Sequence, residues 1–129
     1  TDEDRVENIR RIAEVSKLFM NCGIILLCSF ISPTNEIRKM AKDIVGKDDF
    51  LEIFIDTPIE VCESRDPKGL YKKARKGEIK NFTGISSPFE IPENSFLKVD
   101  NTNPNTEKTV KEMLLKILPE INFDPLRVI

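Results

Sequence analysis

Histidine is absent from this chain of 129 residues, and no apolar run approaches the roughly 20 residues that a membrane-spanning helix needs. Without histidine, the chain lacks the usual general base of serine and cysteine hydrolases. The three cysteines (Cys22, Cys28 and Cys62) are an odd number without metal-ligand spacing, which argues against a disulfide scaffold and a zinc site. Cys28 lies in an apolar run and is interpreted as a small buried hydrophobe. The acidic start does not resemble a signal peptide, so we expect a cytoplasmic protein without a membrane span.

The apolar residues occur partly at helical spacing and partly in short continuous runs, a pattern typical of an α/β protein. The apolar runs show no polar alternation, so they are predicted to be strands covered on both faces, as in a parallel sheet. Helices are predicted at residues 3–22 and 58–65, and apolar residues at helical spacing within 37–45 and 110–118 mark two more. The predicted strands cover residues 24–30, 50–55 and 96–99.

Helix-start signals mark two of these helices. Thr57 is predicted to be the N-cap of the third helix, with Pro58 as its first residue and Glu60 completing a capping box with Thr57. Asn103 is predicted to cap the last helix, whose apolar residues recur at spacings of three and four and indicate a face that packs on the core.

Right-handed crossovers between parallel strands would bring the strand ends at Phe30, Asp56 and Val99 to one edge of the sheet. Open α/β sheets bind ligands at that edge. Ser32 and Pro33 follow the first of these strands, so the Ser32 hydroxyl and the backbone amides after it could contact a phosphate or a sugar. The simpler alternative is that these two residues only form a turn that starts a helix.

Arg5 and Asn8 lie three residues apart near the start of the first helix and therefore share one face. Arg5 offers a planar guanidinium to a phosphate or sulfate, and Asn8 can bind a base or ribose edge. The alternative is that both side chains are merely solvated.

Positive charge is concentrated in one segment of a chain whose net charge is −2, because seven cations and two acids lie between Arg65 and Lys80. Such a concentration costs self-repulsion, and a polyanionic ligand is the usual reason to keep it. Tyr71 and Phe82 add rings on which a base could stack. We predict a lid over phosphates at approximately residues 65–90, against the alternative of a solvated basic helix.

These residues together carry a family resemblance. Over nearly all of its length the chain resembles adenylylsulfate kinase of sulfate assimilation, and the blocks that carry the match, in the family's order and spacing, are residues 4–15, 29–33, 56–58, 62–75 and 82–85. The resemblance implies a P-loop NTPase fold of the nucleotide-kinase type, with a parallel sheet sandwiched by helices. It also implies transfer of the ATP γ-phosphoryl group to the 3′-hydroxyl of adenosine 5′-phosphosulfate, with Mg²⁺, usually by a homodimer. Fusion to or partnership with ATP sulfurylase stays open.

The resemblance assigns individual roles. The positions that match contacts to adenylylsulfate are Arg5, Asn8, Ile31, Ser32, Lys68, Asn81 and Phe82, and those that match the ATP surroundings are Arg65 and Thr102. Phe82 would stack on the adenine of adenylylsulfate. The family more often has glycine at Asn81, although asparagine tolerates a positive φ better than most residues do. Ser32 matches a serine described as a phosphoserine intermediate in bacterial members, but a loose transition state needs positioning more than a covalent intermediate, which favours a ligand contact.

The chain departs from the family in two motifs. It contains no Gly-x-x-x-x-Gly-Lys-Ser/Thr sequence to cradle the β- and γ-phosphates and hold Mg²⁺, and the acidic motif of the family's second strand is absent too. We therefore expect residues 1–129 to be one partial kinase domain from the C-terminal part of a longer protein, with no metal ligand of its own.

Three alternatives remain open. The chain could be a non-catalytic fragment that binds adenylylsulfate or regulates a partner, which a P-loop upstream in the parent reading frame would argue against. It could use the basic lid to bind single-stranded nucleic acid, which the acidic remainder disfavours, so no nucleic-acid partner is expected. It could also be a P-loop kinase of another small metabolite, which the lid sequence disfavours.

Overall fold

The order of elements in the computed structural model alternates helices with two short strands. The structure describes residues 1–103 and 105–121, so residues 122–129 of the expected domain lie outside the description. The helices are α1 (Asp2–Asn21), α2 (Asn35–Val45), α3 (Ile59–Arg65), α4 (Leu70–Arg75) and α5 (Thr106–Ile117), followed by a 3-10 turn (Leu118–Glu120); the strands are β1 (Ile53–Asp56) and β2 (Leu97–Asp100).

The first two helices pack on each other and form the core. Thr1 caps α1 by accepting a hydrogen bond from the Asp4 amide at 3.2 Å, and the chain leaves the helix through Gly23 at φ +77°. The buried cluster consists of Ile9, Ala13, Ile37 and Ala41, with Ile12, Met40, Ile44, Val45 and Phe50 packed around it. The two helices predicted from apolar spacing are therefore confirmed.

The two strands form a parallel pair in which Ile53 lies opposite Leu97 and Asp56 opposite Asp100. Their carboxyl ends lie at the same edge, as the sequence predicted for these two strands. Phe54 and Val99 point into the protein and are buried, and the Phe54 ring stacks on Phe89 at a centroid distance of 6.0 Å. An α/β fold with a parallel sheet is thus confirmed.

The predicted strand 24–30 is wrong as a strand in this structure. Within residues 1–103 and 105–121, the sheet contains only β1 and β2, and residues 24–30 run without regular secondary structure. Leu27 is 91% exposed, and Cys28, expected to be buried, is exposed. A strand requires a neighbouring chain to satisfy its amides and carbonyls, and an apolar sequence alone cannot supply one.

Both predicted N-caps are wrong. Thr57 Oγ1 does not cap α3 but accepts a hydrogen bond from Asn101 Nδ2 at 3.1 Å, so the helix begins after Pro58 without a side-chain cap. Asn105 rather than Asn103 caps α5, through its side-chain oxygen and the Lys108 amide at 3.0 Å. At Thr57, the hydrogen bond from Asn101 takes the place of the local capping interaction.

The apolar face of α5 was expected to pack on the core. The helix does contact β2, but Val110, Leu114 and Leu118 are about half exposed, and α5 contains no fully buried residue. The helical spacing was correct, whereas the burial that it indicated is not present among the described residues. In that same part of the chain, no helix is long and apolar enough to cross a membrane.

Candidate substrate site and lid

The segment predicted to be the lid, residues 65–90, begins where α3 ends. The chain turns at Asp66, whose two carboxylate oxygens accept hydrogen bonds from the backbone amides of Tyr71 and Lys72 at 3.1 and 3.0 Å, at the start of α4. Desolvation raises the pKa of Asp66, but the backbone donors of Lys72, Tyr71 and Leu70 together lower it below its usual value. The charged Asp66 thus holds the lid helix in place.

Replacing Asp66 by asparagine should loosen α4, because an amide has only one acceptor oxygen for two backbone donors. We expect faster hydrogen exchange at residues 70–75 than in the wild type. Since the pKa of the wild-type carboxyl is lowered, its stabilisation should be complete above the ordinary value of 3.8 and should be lost as the pH falls through the folded-state pKa. Equal exchange in the two proteins would show that Asp66 does not hold the helix.

A second link ties α4 to α3, because Arg75 pairs with both carboxylate oxygens of Glu63. This pair lowers the pKa of Glu63 through the side-chain hydrogen bond from Arg75. The Arg75–Glu63 pair therefore joins α4 to α3, in addition to the bonds from Asp66 at the turn between them.

The predicted stacking residue Phe82 opens a tight turn. The amides of Ile85, Ser86 and Ser87 all donate to the Phe82 carbonyl, at 3.0, 2.9 and 3.0 Å, and the Phe82 amide donates to Ser86 Oγ at 2.9 Å. The Phe82 ring meets Tyr71 edge-on at a centroid distance of 5.0 Å. The turn therefore fixes the Phe82 backbone, and Tyr71 packs against the Phe82 ring.

Gly84 lies within this turn at φ +86°, and a Cβ there would come within 3.1 Å of Ile59 Cδ1 on α3. Replacing Gly84 by alanine should lower the free energy of unfolding by about 1–2 kcal/mol, because a side chain is strained at this φ and also crowds α3. Gly77 is a matched control, since its φ of +77° is similar and a Cβ there meets nothing within 4 Å. Denaturant unfolding should show a larger loss for Gly84→Ala, and equal losses would exclude a role for the Ile59 contact.

Two predicted site residues that are 76 positions apart meet directly. Arg5 on α1 donates a hydrogen bond from its guanidinium to the Asn81 carbonyl at 2.5 Å. Asn81 has φ +54°, the conformation for which glycine would be the usual residue. Asn8 is exposed on the same helix, one turn beyond Arg5. The structure thus brings the start of α1 and the turn of the lid together.

Ser32 and Ile31 lie in the segment between residues 24–30 and α2. Ser32 is half-buried at φ +40°, which is uncommon for serine, and Ile31 is 68% exposed. The Ser32 carbonyl accepts a hydrogen bond from Arg38 at 2.6 Å, and the carbonyl of Pro33 accepts one from the Glu90 amide at 2.8 Å.

The two residues assigned to the ATP side are also in contact. Arg65, at the end of α3, donates to the carbonyls of Asn101 and Thr102 at 2.7 and 2.8 Å. The Thr102 amide donates to Asp100 Oδ1 at 2.8 Å, which fixes the turn after β2. The structure therefore joins the base of the lid to the carboxyl end of the sheet.

The structure bonds Arg5 to Asn81, which precedes Phe82, and Arg65 to Thr102. Ile31 and Ser32 are neighbours in the chain. Lys68 is exposed on the turn before α4. A cavity of about 770 Å³ lies beside β1 and the segment 24–32, and its lining includes Ile31 and Ser32 from the predicted set.

Three residues that build this region were not predicted from the sequence: Arg38, Asp66 and Glu90. Asp66 could have been found from its position shortly before a helix. Arg38 lies between the buried Ile37 and Ala41 on α2, and a cation among core residues was the available signal. Nothing in the sequence indicated Glu90, whose contacts are all distant along the chain.

Comparisons with known proteins point to a single family. The family profile described as Adenylylsulphate kinase matches residues 1–100. The adenylyl-sulfate kinase of Bacteroides thetaiotaomicron is 61% identical over 121 residues, which are 94% of this chain and 60% of that protein. The corresponding kinase of Clostridium acetobutylicum is 57% identical over 112 residues, covering 87% of this chain and 56% of that protein. The chain thus spans about 60% of these relatives.

A solved structure gives the same result. The APS kinase CysC of Mycobacterium tuberculosis, in complex with AMPPNP and APS, superposes with a TM-score of 0.85 at 41% identity, covering 92% of this chain and 69% of that one. The expected fold class, that of a P-loop kinase, is therefore confirmed. With a family profile over most of its length and relatives at about 60% identity, the chain belongs to the adenylylsulphate kinase family.

Proposed function

We propose that the protein to which this chain belongs transfers the γ-phosphoryl group of ATP to the 3′-hydroxyl of adenosine 5′-phosphosulfate. The observation that carries the proposal is the hydrogen bond from Arg5 to the Asn81 carbonyl, because it joins two residues, 76 positions apart, that the family resemblance assigns to adenylylsulfate. A cationic side chain bonded to the residue that precedes an aromatic residue suits a ligand that has both an anionic group and a base.

Each residue has a role in this proposal. The Arg5 side chain is about one-third exposed, so it can bind the phosphosulfate while it holds Asn81. Phe82, supported at its edge by Tyr71, stacks on the adenine. Asn8, Ile31, Ser32 and Lys68 complete the adenylylsulfate contacts, and Arg65 and Thr102 border the ATP.

The reaction needs the two substrates to be positioned and the phosphate charge to be neutralised more than it needs a covalent intermediate on the enzyme, because phosphoryl transfer passes through a loose transition state. The lid cations neutralise phosphate charge, and the lid excludes water from the reacting groups. Ser32 contributes a contact to the substrate rather than a covalent intermediate.

Mg²⁺ accompanies ATP in this proposal and would neutralise phosphate charge when bound. Among the residues that the structure describes, no group of three carboxylate, histidine or cysteine side chains could hold a metal. We therefore assign no residue of this chain as a ligand of Mg²⁺.

The further properties of the protein are proposals of the same kind. We propose a cytoplasmic location, supported by the three free cysteines, which suit a reducing compartment. A homodimer is what the family resemblance implies, and light scattering on the full-length protein would test it. Association with ATP sulfurylase is testable by copurification of the two activities.

The direct test is a transfer assay with full-length protein, γ-labelled ATP and adenosine 5′-phosphosulfate. We expect the label in 3′-phosphoadenylylsulfate and little transfer to adenosine 5′-monophosphate, which lacks the sulfate. Binding of adenylylsulfate without transfer would instead support the non-catalytic alternative. Absence of both binding and transfer would refute the proposed function.

A further inference from the structure

The side chain of Arg38 is unusual because it is charged and yet the residue is only 8% exposed. Burying a guanidinium is costly unless its donors are satisfied. One terminal nitrogen donates to the Ser32 carbonyl at 2.6 Å, and the other donates to Asn35 Oδ1 at 2.5 Å and to the Glu90 carbonyl at 2.7 Å. The Nε atom lies 3.7 Å from a carboxylate oxygen of Glu52.

These contacts join segments that are distant in sequence. Ser32 precedes α2, Glu52 precedes β1, and Glu90 lies at the C-terminal limit of the lid. The guanidinium also lies over the ring of Phe89, 5.7 Å from its centroid. Arg38 is thus bonded both to residues 31–35, here called the Ser32 segment, and to residue 90 at the end of the lid.

Two further hydrogen bonds reinforce this connection. The Glu90 amide donates to the Pro33 carbonyl at 2.8 Å, and the Asn35 amide donates to Glu90 Oε2 at 2.6 Å. Glu90 is therefore held against residues 33–35 by its backbone amide and by its carboxylate.

The backbone of Ser32 needs such support. Its φ of +40° lies in the left-handed region, which a serine occupies only when its surroundings hold it there. The bond from Arg38 to the Ser32 carbonyl is the side-chain contact that restrains this residue from α2.

We propose that Arg38 is a positioning residue that holds Ser32 in its binding conformation and couples it to the C-terminal end of the lid. Arg38 makes no contact with substrate in this proposal and acts through the Ser32 carbonyl. The inference rests on the proposed function for its kinetic consequence, but its structural consequence is independent of activity.

The test uses Arg38→Lys in the full-length protein, because lysine keeps the charge but cannot reach three acceptors with a planar group. We expect the KM for adenylylsulfate to rise by about tenfold or more, with the KM for ATP unchanged, since small displacements of substrate-positioning groups have large effects. Arg10→Lys is the matched control, because Arg10 forms a two-bond pair with Glu7 on the surface of α1 and should leave both constants unchanged.

Hydrogen exchange gives a readout that does not need activity. In Arg38→Lys, the amides of residues 31–35 and 89–91 should exchange faster together, while those of α1 stay protected. If the wild type transfers phosphate and Arg38→Lys leaves the KM for adenylylsulfate unchanged, the inference is wrong. If the wild type shows no transfer, the proposed function fails, and the exchange result alone decides whether Arg38 joins the two segments.

A second variant covers the case in which Arg38→Lys does not fold. Glu90→Ala removes an exposed carboxylate that accepts the Asn35 amide, and it leaves the buried guanidinium intact. We expect a smaller rise in the KM for adenylylsulfate and faster exchange at residues 31–35. Glu90→Ala keeps the backbone bonds of residue 90, so unchanged exchange at those residues would refute the contribution of the Glu90 carboxylate to the connection between the Ser32 segment and the lid.

Discussion

Replacing Phe82 by alanine in the full-length protein is expected to weaken adenylylsulfate binding by about 5- to 150-fold, because stacking of an aromatic ring on a base contributes about 1–3 kcal/mol. The affinity for ATP should stay close to that of the wild type, since Arg65 and Thr102 are held together at a separate place by bonds that do not involve Phe82. Isothermal titration calorimetry with each nucleotide measures the two affinities.

Two control variants separate stacking from folding of the lid. Phe82→Tyr keeps a ring and should bind adenylylsulfate nearly as well as the wild type. Phe82→Leu keeps an apolar side chain beside Tyr71 but lacks a flat π-face, so it should behave more like the alanine variant. Equal loss of affinity for both nucleotides would contradict the role assigned to Phe82.

Replacing Arg5 by methionine is expected to lower kcat/KM for adenylylsulfate by about 10- to 150-fold, because a hydrogen bond to a charged group contributes about 1.5–3 kcal/mol. The substitution removes both the cation that would bind the phosphosulfate and the donor that holds the Asn81 carbonyl. Methionine retains an unbranched side chain of similar reach, so α1 should remain folded. Steady-state kinetics with adenylylsulfate as the varied substrate measures the change.

The matched control is Arg11→Met. Arg11 is on the same helix and pairs only with Glu7 among the ion pairs of the described residues, so its replacement should leave kcat/KM nearly unchanged. Arg5→Lys should fall between the wild type and Arg5→Met, because an ammonium group keeps the charge but loses the planar arrangement of donors. A normal kcat/KM in Arg5→Met would show that the contact with Asn81 has no part in substrate binding.

Much of the fold followed from local patterns. The spacing of apolar residues predicted α1 and α2, and the continuous apolar runs predicted β1 and β2 to within a few residues. These predictions succeeded because each helix has one apolar stripe and both strands find a parallel partner within the described residues. The basic segment and the candidate residues Arg5 and Phe82 were also visible in the sequence, through charge and aromaticity. Ser32 was found from its position after a predicted strand that does not form among the described residues.

The errors have a common cause. Residues 24–30 have the composition of a buried strand, but strand formation depends on a neighbour, and a single sequence does not state which neighbour is present. Thr57 has the local features of an N-cap, yet its hydroxyl is occupied by Asn101, which is 44 residues away.

The sequence by itself determined the α/β class, the concentration of positive charge in the lid and the family resemblance, because these depend on residue types and short-range spacing. Only the tertiary structure decided that Arg5 meets Asn81, that Arg65 meets Thr102 and that a buried Arg38 joins Ser32 to Glu90. The reason is physical: each of these contacts joins a guanidinium to a backbone carbonyl, and carbonyls are present at every residue, so residue identity does not indicate which one will be bound.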